Sequence, residues 1–317
     1  MKQPLPFKKW WGLFKCAVND FMDDKVLKLS ASLAYSTVFS IAPMLIIVLF
    51  FSDIFLGREA LEGDLYGQLR GLMGPAAAQQ VQEIVRNSTL SRDFGWSTII
   101  GFVTLIIGAT GVFSEIQTSI NFIWRLKPKP EKVGKSILKI VLTRLLSFSM
   151  VISLGFVMVV SLVVHGIIEV LINRLMSYFP EIAVVAVYII NLLITFATIT
   201  ALFAVIFKVL PDARVQWRHV WIGAITTAIL FMIGKAAIGL YLGNSNISST
   251  YGAAGSIVIL LVWVYYSAAI LYFGAEFTRQ YVQHKGVRIR PNDYAVWVEQ
   301  MEVESKGNLP EKSNNIT

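Results

Sequence analysis

Long uncharged runs alternate with short charged segments along almost the whole chain. The clearest run is Leu29–Phe51, which carries no charge over 23 residues. An α-helix of about 20 apolar residues crosses the ~30 Å hydrocarbon core of a bilayer. By that criterion the spans fall at 29–52, 96–124, 143–168, 182–207, 219–242 and 252–275. The pattern predicts an all-α polytopic membrane protein, with six transmembrane helices forming one domain over 29–275. Pro180, Leu210-Pro211-Asp212 and Gly243-Asn244-Ser245-Asn246 break the chain between spans. Trp96 and Trp124 mark the ends of the second span, as interfacial aromatics do.

The flanking segments read differently. In residues 1–28, Phe7, Trp11, Phe14, Val18 and Phe21 recur every three or four residues. Lys8, Lys9, Lys15, Lys25 and Lys28 lie among them. This spacing predicts a cytoplasmic amphipathic helix lying on the membrane surface. The longest connection, 53–95, carries Leu61, Leu65, Leu69 and Leu72 before Gly74-Pro75, and Val81, Ile84 and Val85 after it. It predicts two short amphipathic helices packed on the outer ends of the spans. Residues 125–139 are basic, contain Pro128 and Pro130, and read as a solvated connection. The tail, 276–317, is polar, and its last dozen residues read as disordered.

Charge gives the orientation. Lys and Arg concentrate in 1–28, 125–144, 208–218 and 276–317. The opposite side holds only Arg58, Arg70, Arg86, Arg92 and Arg174. The positive-inside rule predicts both termini in the cytoplasm. The net charge of +8 then needs no nucleic acid. Membrane lipids with anionic headgroups at the inner leaflet are the expected partners, and the oligomeric state stays open. Charged residues are 15% of the chain, against roughly 25% in an ordinary soluble domain. The single cysteine, Cys16, excludes an intramolecular disulfide and a cysteine-based zinc cluster. Residues 1–28 lack the short apolar core and cleavage site of a signal peptide.

Polar groups inside the spans are the candidate functional residues, because they are costly there. Ser32, Ser36 and Ser40 repeat every four residues and share one helix face, with Tyr35 beside them. Pro43 follows and favours a kink. Gly101, Thr104, Gly108, Gly111, Glu115 and Thr118 give the second span a small, polar face. Either these faces pack helices closely, or they line a polar pathway. Glu115 is expected to point at the hydroxyl stripe, protonated or paired, with Arg144 as its partner. Lys235 should lie nearer the outer leaflet, where it can snorkel.

Four stretches carry a family resemblance. They are Ala31-Ser32-Leu33-Ala34-Tyr35-Ser36-Thr37-Val38-Phe39-Ser40-Ile41-Ala42-Pro43 and Ser119-Ile120-Asn121-Phe122-Ile123-Trp124. The third is Leu210-Pro211 with Trp217-Arg218-His219-Val220-Trp221-Ile222-Gly223-Ala224. The last runs from Tyr251-Gly252-Ala253-Ala254-Gly255-Ser256 to Gly274-Ala275-Glu276-Phe277. In this order and spacing the chain resembles the YihY/BrkB family of bacterial inner-membrane proteins, once labelled ribonuclease BN. The tail beyond about residue 285 has no clear counterpart in that family. The resemblance implies a six-span inner-membrane protein linked to envelope properties, with lipid movement suspected.

The residues argue against the nuclease label. His165, His219 and His284 are dispersed, and no glycine-rich phosphate loop is present. No catalytic residue, metal or cofactor is expected. Two functions stay open: a transporter-like protein without its own ATPase, and a non-transporting scaffold for envelope assembly.

Overall fold

The computed structural model describes residues 7–40, 70, 75, 78–79, 82, 111–129, 180–244 and 255–299. These residues are mostly helical. Helix α1 is Phe7–Asp23, α2 covers 26–40, and α3 covers 111–123. Helix α4 is Pro180–Val209, α5 is Trp217–Asn244, and α6 is Gly255–His284. Among the described residues, α4, α5 and α6 are long and apolar enough to cross a membrane. The third predicted span and almost all of 53–95 lie outside the described residues, as does the tail beyond 299.

Local chemistry sets the helix ends. Pro180 opens α4, where its missing N–H costs nothing. Leu210-Pro211 follows the end of α4. Gly286 adopts φ 70° just after α6, and the Val287 N–H returns to the Val282 carbonyl. That left-handed residue closes the helix, a conformation glycine takes at little cost. Lys25 and Arg125 adopt φ 51° and 58° just after α1 and α3, without being glycine. A left-handed non-glycine residue costs roughly 1–2 kcal/mol, so surrounding contacts must hold both.

Packing follows small residues. Thr227 and Thr278 each donate to the carbonyl four residues back, at Gly223 and Gly274. A Cβ on Gly223 would overlap Thr278, and one on Gly274 would overlap Thr227. The two Gly-x-x-x-Thr segments thus interlock reciprocally, with α5 antiparallel to α6. One end of this pair continues to Gly234, which lies under the Tyr266 ring. Phe203 and Phe207 of α4 join Phe231 of α5 in the same buried core. Helix α3 runs parallel to α6, and its buried Trp124 donates to the Ala275 carbonyl at 3.0 Å. The interfacial position predicted for Trp124 is corrected: Ala275 is small enough for the indole to reach the α6 backbone.

Helix α1 crosses α6 near its C-terminal end. Trp10 stacks on Phe277 and Tyr281, and Phe14 and Phe21 meet Phe273. Leu13 and Ala17 are buried. The predicted apolar face therefore divides. Phe14 and Phe21 pack on protein, while Trp11 and Val18 stay exposed with Met22.

Two short ribbons qualify the all-α expectation. Strand β1, Leu126–Pro128, pairs antiparallel with β4, Ala295–Trp297. Strand β2, Ala213–Arg214, pairs antiparallel with β3, Arg290–Pro291. The connection after α3 is thus corrected from solvated to partly paired. Leu126 and Ala295 are buried, so pairing covers apolar surface as well as backbone polar groups. Likewise, the last helix runs past residue 275 to His284, because Phe277, Tyr281 and Val282 still have protein to pack against.

Replacing Gly274 by Leu should force α5 and α6 apart. Overpacking typically costs about 1–3 kcal/mol. A lower melting temperature in detergent is expected, whereas Gly239→Leu, in open space, should leave it unchanged.

Candidate functional site

Helix α3 carries polar side chains to three places. The first faces α2. The Ser32 hydroxyl donates to Glu115 Oε1 at 2.6 Å. Two turns along α2, Ser40 Oγ lies 3.0 Å from where a Cβ on Gly111 would stand. These contacts run in opposite sequence directions, so α2 and α3 are antiparallel. Ser40 is buried, Ser36 and Glu115 are half-buried, and Ser32 is exposed. The hydroxyl stripe therefore passes from a dry helix contact to an accessible carboxyl group. Behind it, the buried Tyr272 of α6 sits beside Ser119 and within electrostatic range of Glu115.

The second place is the turn between α4 and α5. Asp212 is 5% exposed. Its Oδ1 accepts from Gln117 Nε2, and its Oδ2 from Asn121 Nδ2, both at 2.9 Å. The Asp212 N–H donates to Asn121 Oδ1, and the Asp212 carbonyl accepts from the Asn292 N–H. A buried carboxylate is tolerable when donors surround it. Burial, then the neighbouring Asp212 charge, pushes the Tyr294 phenol above its ordinary range.

The third place joins α1, α3 and α6. Arg279 Nη2 donates to Asp20 Oδ2 at 2.7 Å, and Nη1 donates to the Ile123 carbonyl at 2.5 Å. The same Nη1 lies 3.4 Å from Asp24 Oδ2 and 3.3 Å from Glu276 Oε2. Arg125 Nη2 donates to Asp24 Oδ1 at 2.7 Å. Gln280 Nε2 donates to Asp20 Oδ2. This cluster explains the left-handed backbone at Lys25 and Arg125. The turn at Lys25 delivers its neighbour Asp24 to the ion pairs, the turn at Arg125 delivers Arg125 itself, and the Arg125 carbonyl also accepts from the Val298 N–H.

The structure brings together only part of the predicted set. Ser32, Ser36, Ser40, Gly111 and Glu115 share the α2–α3 face. Tyr35 does not: it is 67% exposed and packs on Phe39. Lys235 is half-buried on α5, next to the level of Tyr266. Tyr266 lies six residues from Tyr272, or about 9 Å along α6, so Lys235 belongs nearer the other end. Pro43, Thr104, Gly108 and Arg144 lie outside the described residues. Sequence reasoning missed Asp20, Asp24, Gln117, Asn121, Asp212 and Arg279. For Asp20, Asp24 and Asp212 a signal was present, as acids inside segments that carry lysine and arginine, where each needs a partner; Gln117, Asn121 and Arg279 carried no such mark.

Removing Arg279 should leave buried carboxylates uncompensated. Breaking a buried ion pair costs about 3–5 kcal/mol. Arg279→Ala should sharply lower the melting temperature of the purified protein. Arg279→Lys keeps charge but not the two-nitrogen geometry, and should recover only part of the loss.

Comparison with known proteins follows the same region. Residues 17–295 match the family model described as virulence factor BrkB. A UPF0761 membrane protein of Stenotrophomonas maltophilia (strain K279a) is 29% identical over 258 residues. That covers 81% of this chain and 57% of the relative. UPF0761 membrane proteins of Xanthomonas campestris pv. campestris (strain B100) and Xanthomonas axonopodis pv. citri (strain 306) are equally similar, at 29%. The chain spans a little over half the length of these relatives. No solved structure matches the chain.

Proposed function

Because this chain belongs to the BrkB family of membrane proteins, we propose that it is a transporter-like protein of the bacterial inner membrane. It handles a lipid or another envelope molecule, has no ATPase of its own and catalyses no covalent reaction. The observation that carries this reading is the Ser32–Glu115 pair. A hydroxyl and a carboxyl meet between two helices, yet remain accessible from outside the bundle. Packing alone gives no reason to keep a carboxyl group there, since ionisable groups in spans are costly. A polar headgroup or a proton moving past would use it.

The orientation proposed is six spans with both termini inside. Helices α3, α4 and α6 end where α2 and α5 begin, and the four segments richest in Lys and Arg meet at that end. This alternation supports the reading, whose third span, 143–168, lies outside the described residues. The exposed Lys8, Lys9 and Lys15 of α1, beside Trp11 and Met22, suit an anionic inner leaflet.

A scaffold for envelope assembly is the second reading. The close Ser40–Gly111 contact favours it, because there the stripe packs helices.

Glu115→Gln separates the two. As a transporter group, Glu115 should be dispensable for expression and melting temperature but required to complement a deletion strain in leaflet-resolved lipid profiling. Full complementation by Glu115→Gln would reject the transport role. Orientation is checked on the native Cys16, which is exposed. Maleimide should label it in inverted vesicles and not in intact spheroplasts. Labelling from the outside would reverse the topology.

A further inference from the structure

The cluster at the inner end of α6 does not balance as ordinary ion pairs. Among the described residues it brings Asp20 and Asp24 from the end of α1, Arg125 from the end of α3, and Glu276, Arg279 and Gln280 from α6. That is three carboxyl groups against two guanidinium groups. An uncompensated buried charge is strongly disfavoured.

The hydrogen-bond geometry shows where the imbalance falls. Arg279 Nη1 has two hydrogens and three acceptors within 3.4 Å: the Ile123 carbonyl, Asp24 Oδ2 and Glu276 Oε2. The Ile123 carbonyl takes one at 2.5 Å, and Asp24 takes the other. Arg279 Nε has no acceptor among the described residues, so that edge of the guanidinium does not serve Glu276 either. Glu276 is 0% exposed, and as a carboxylate neither of its oxygens has a donor. Asp20 and Asp24 are better supplied, by Gln280 and Arg279 on one and by Arg125 and Arg279 on the other. Two acceptor-only groups that face one nitrogen become complementary when one carries a hydrogen.

We propose that Glu276 and Asp24 form a proton-binding site. One exchangeable proton, carried by Glu276 and donated to Asp24, completes the cluster that ties α1 and α3 to α6. Bound, it turns two competing acceptors into a donor–acceptor pair and leaves two carboxylates facing two guanidinium groups. Released, it leaves one buried negative charge, and Asp24 and Glu276 repel. The element free to move is α1, because Asp20 and Asp24 sit at its end while Arg279 and Glu276 share one helix. Asp20 has the most exposed side chain of the three acids, at 24%, and marks the side from which water reaches the site. The inference stands whether or not the protein transports anything. It requires only that the inner end of α6 stay packed under α1.

Infrared spectroscopy of the full-length purified protein tests this directly. The carbonyl stretch of a buried protonated carboxyl should be present at neutral pH, vanish in Glu276→Gln and persist in Glu115→Gln. Asp24→Asn equalises acids and guanidinium groups, so the Glu276 band should vanish there as well. Movement of α1 is read at Ala17→Cys in a Cys16→Ser background, since Ala17 is 0% exposed. Its labelling rate, relative to that of native Cys16 in the unaltered protein, should rise several-fold with increasing pH. In Glu276→Gln the ratio should stay flat. A wild-type protein without the carboxyl band overturns the proposal. So does a band unaffected by Glu276→Gln or persisting in Asp24→Asn, or a labelling ratio with the same pH response in both proteins. If Glu276→Gln cannot be purified, the Asp24→Asn spectrum and labelling ratio decide alone.

Discussion

One guanidinium group joins three helix ends. Arg279 projects from the last turns of α6, takes the Asp20 carboxylate of α1, and caps the Ile123 carbonyl at the end of α3. The last carbonyls of a helix have no partner within the helix. A buried arginine that satisfies one of them, and binds acids from a second element, couples local helix termination to tertiary assembly. The left-handed turns at Lys25 and Arg125, the crossing of α1 over α6 and the Trp124–Ala275 contact all surround this one side chain. Its five donors in a rigid fork suit the task, whereas an ammonium would serve one direction at a time.

Helix α3 is the second organising element, because it presents different chemistry on different faces. One face gives Glu115 to α2. Another gives Gln117 and Asn121 to Asp212 in the α4–α5 turn. Its end gives Arg125 to Asp24 and Trp124 to α6. Glu115 and Ile123, whose carbonyl Arg279 takes, are eight residues apart, or about 12 Å along α3. The accessible carboxyl and the buried ion-pair cluster therefore belong to one mechanical unit. The region matching the BrkB family, 17–295, contains every polar residue of that unit. It also contains 285–295, which the family resemblance in the sequence had left aside. There the chain pairs with the α4–α5 turn through β3, and its last residue opens the pairing of β4 with the segment after α3.

The family was legible in the order and spacing of four motif stretches, whereas hydropathy determined the membrane character and the approximate bounds of the helices that are described. Those properties depend on summed transfer free energy over about 20 residues, which a linear pattern records fully. The four-residue repeat of Ser32, Ser36 and Ser40 likewise placed a hydroxyl face, because helix geometry turns spacing into direction. Tertiary structure decided what those directions meet. Trp124 reads the same whether it lies at a lipid interface or against Ala275; only the packed α6 backbone makes it a core residue. Phe14 and Trp11 are equivalent in an amphipathic pattern, yet α6 covers one and leaves the other exposed. Asp20, Asp24, Glu276 and Arg279 are separated by more than 250 residues from first to last. In the sequence no spacing links Asp20 and Asp24 to Glu276 and Arg279. Their shared burial comes from the crossing of α1 over α6, and long-range contact of that kind leaves no periodic mark in a sequence.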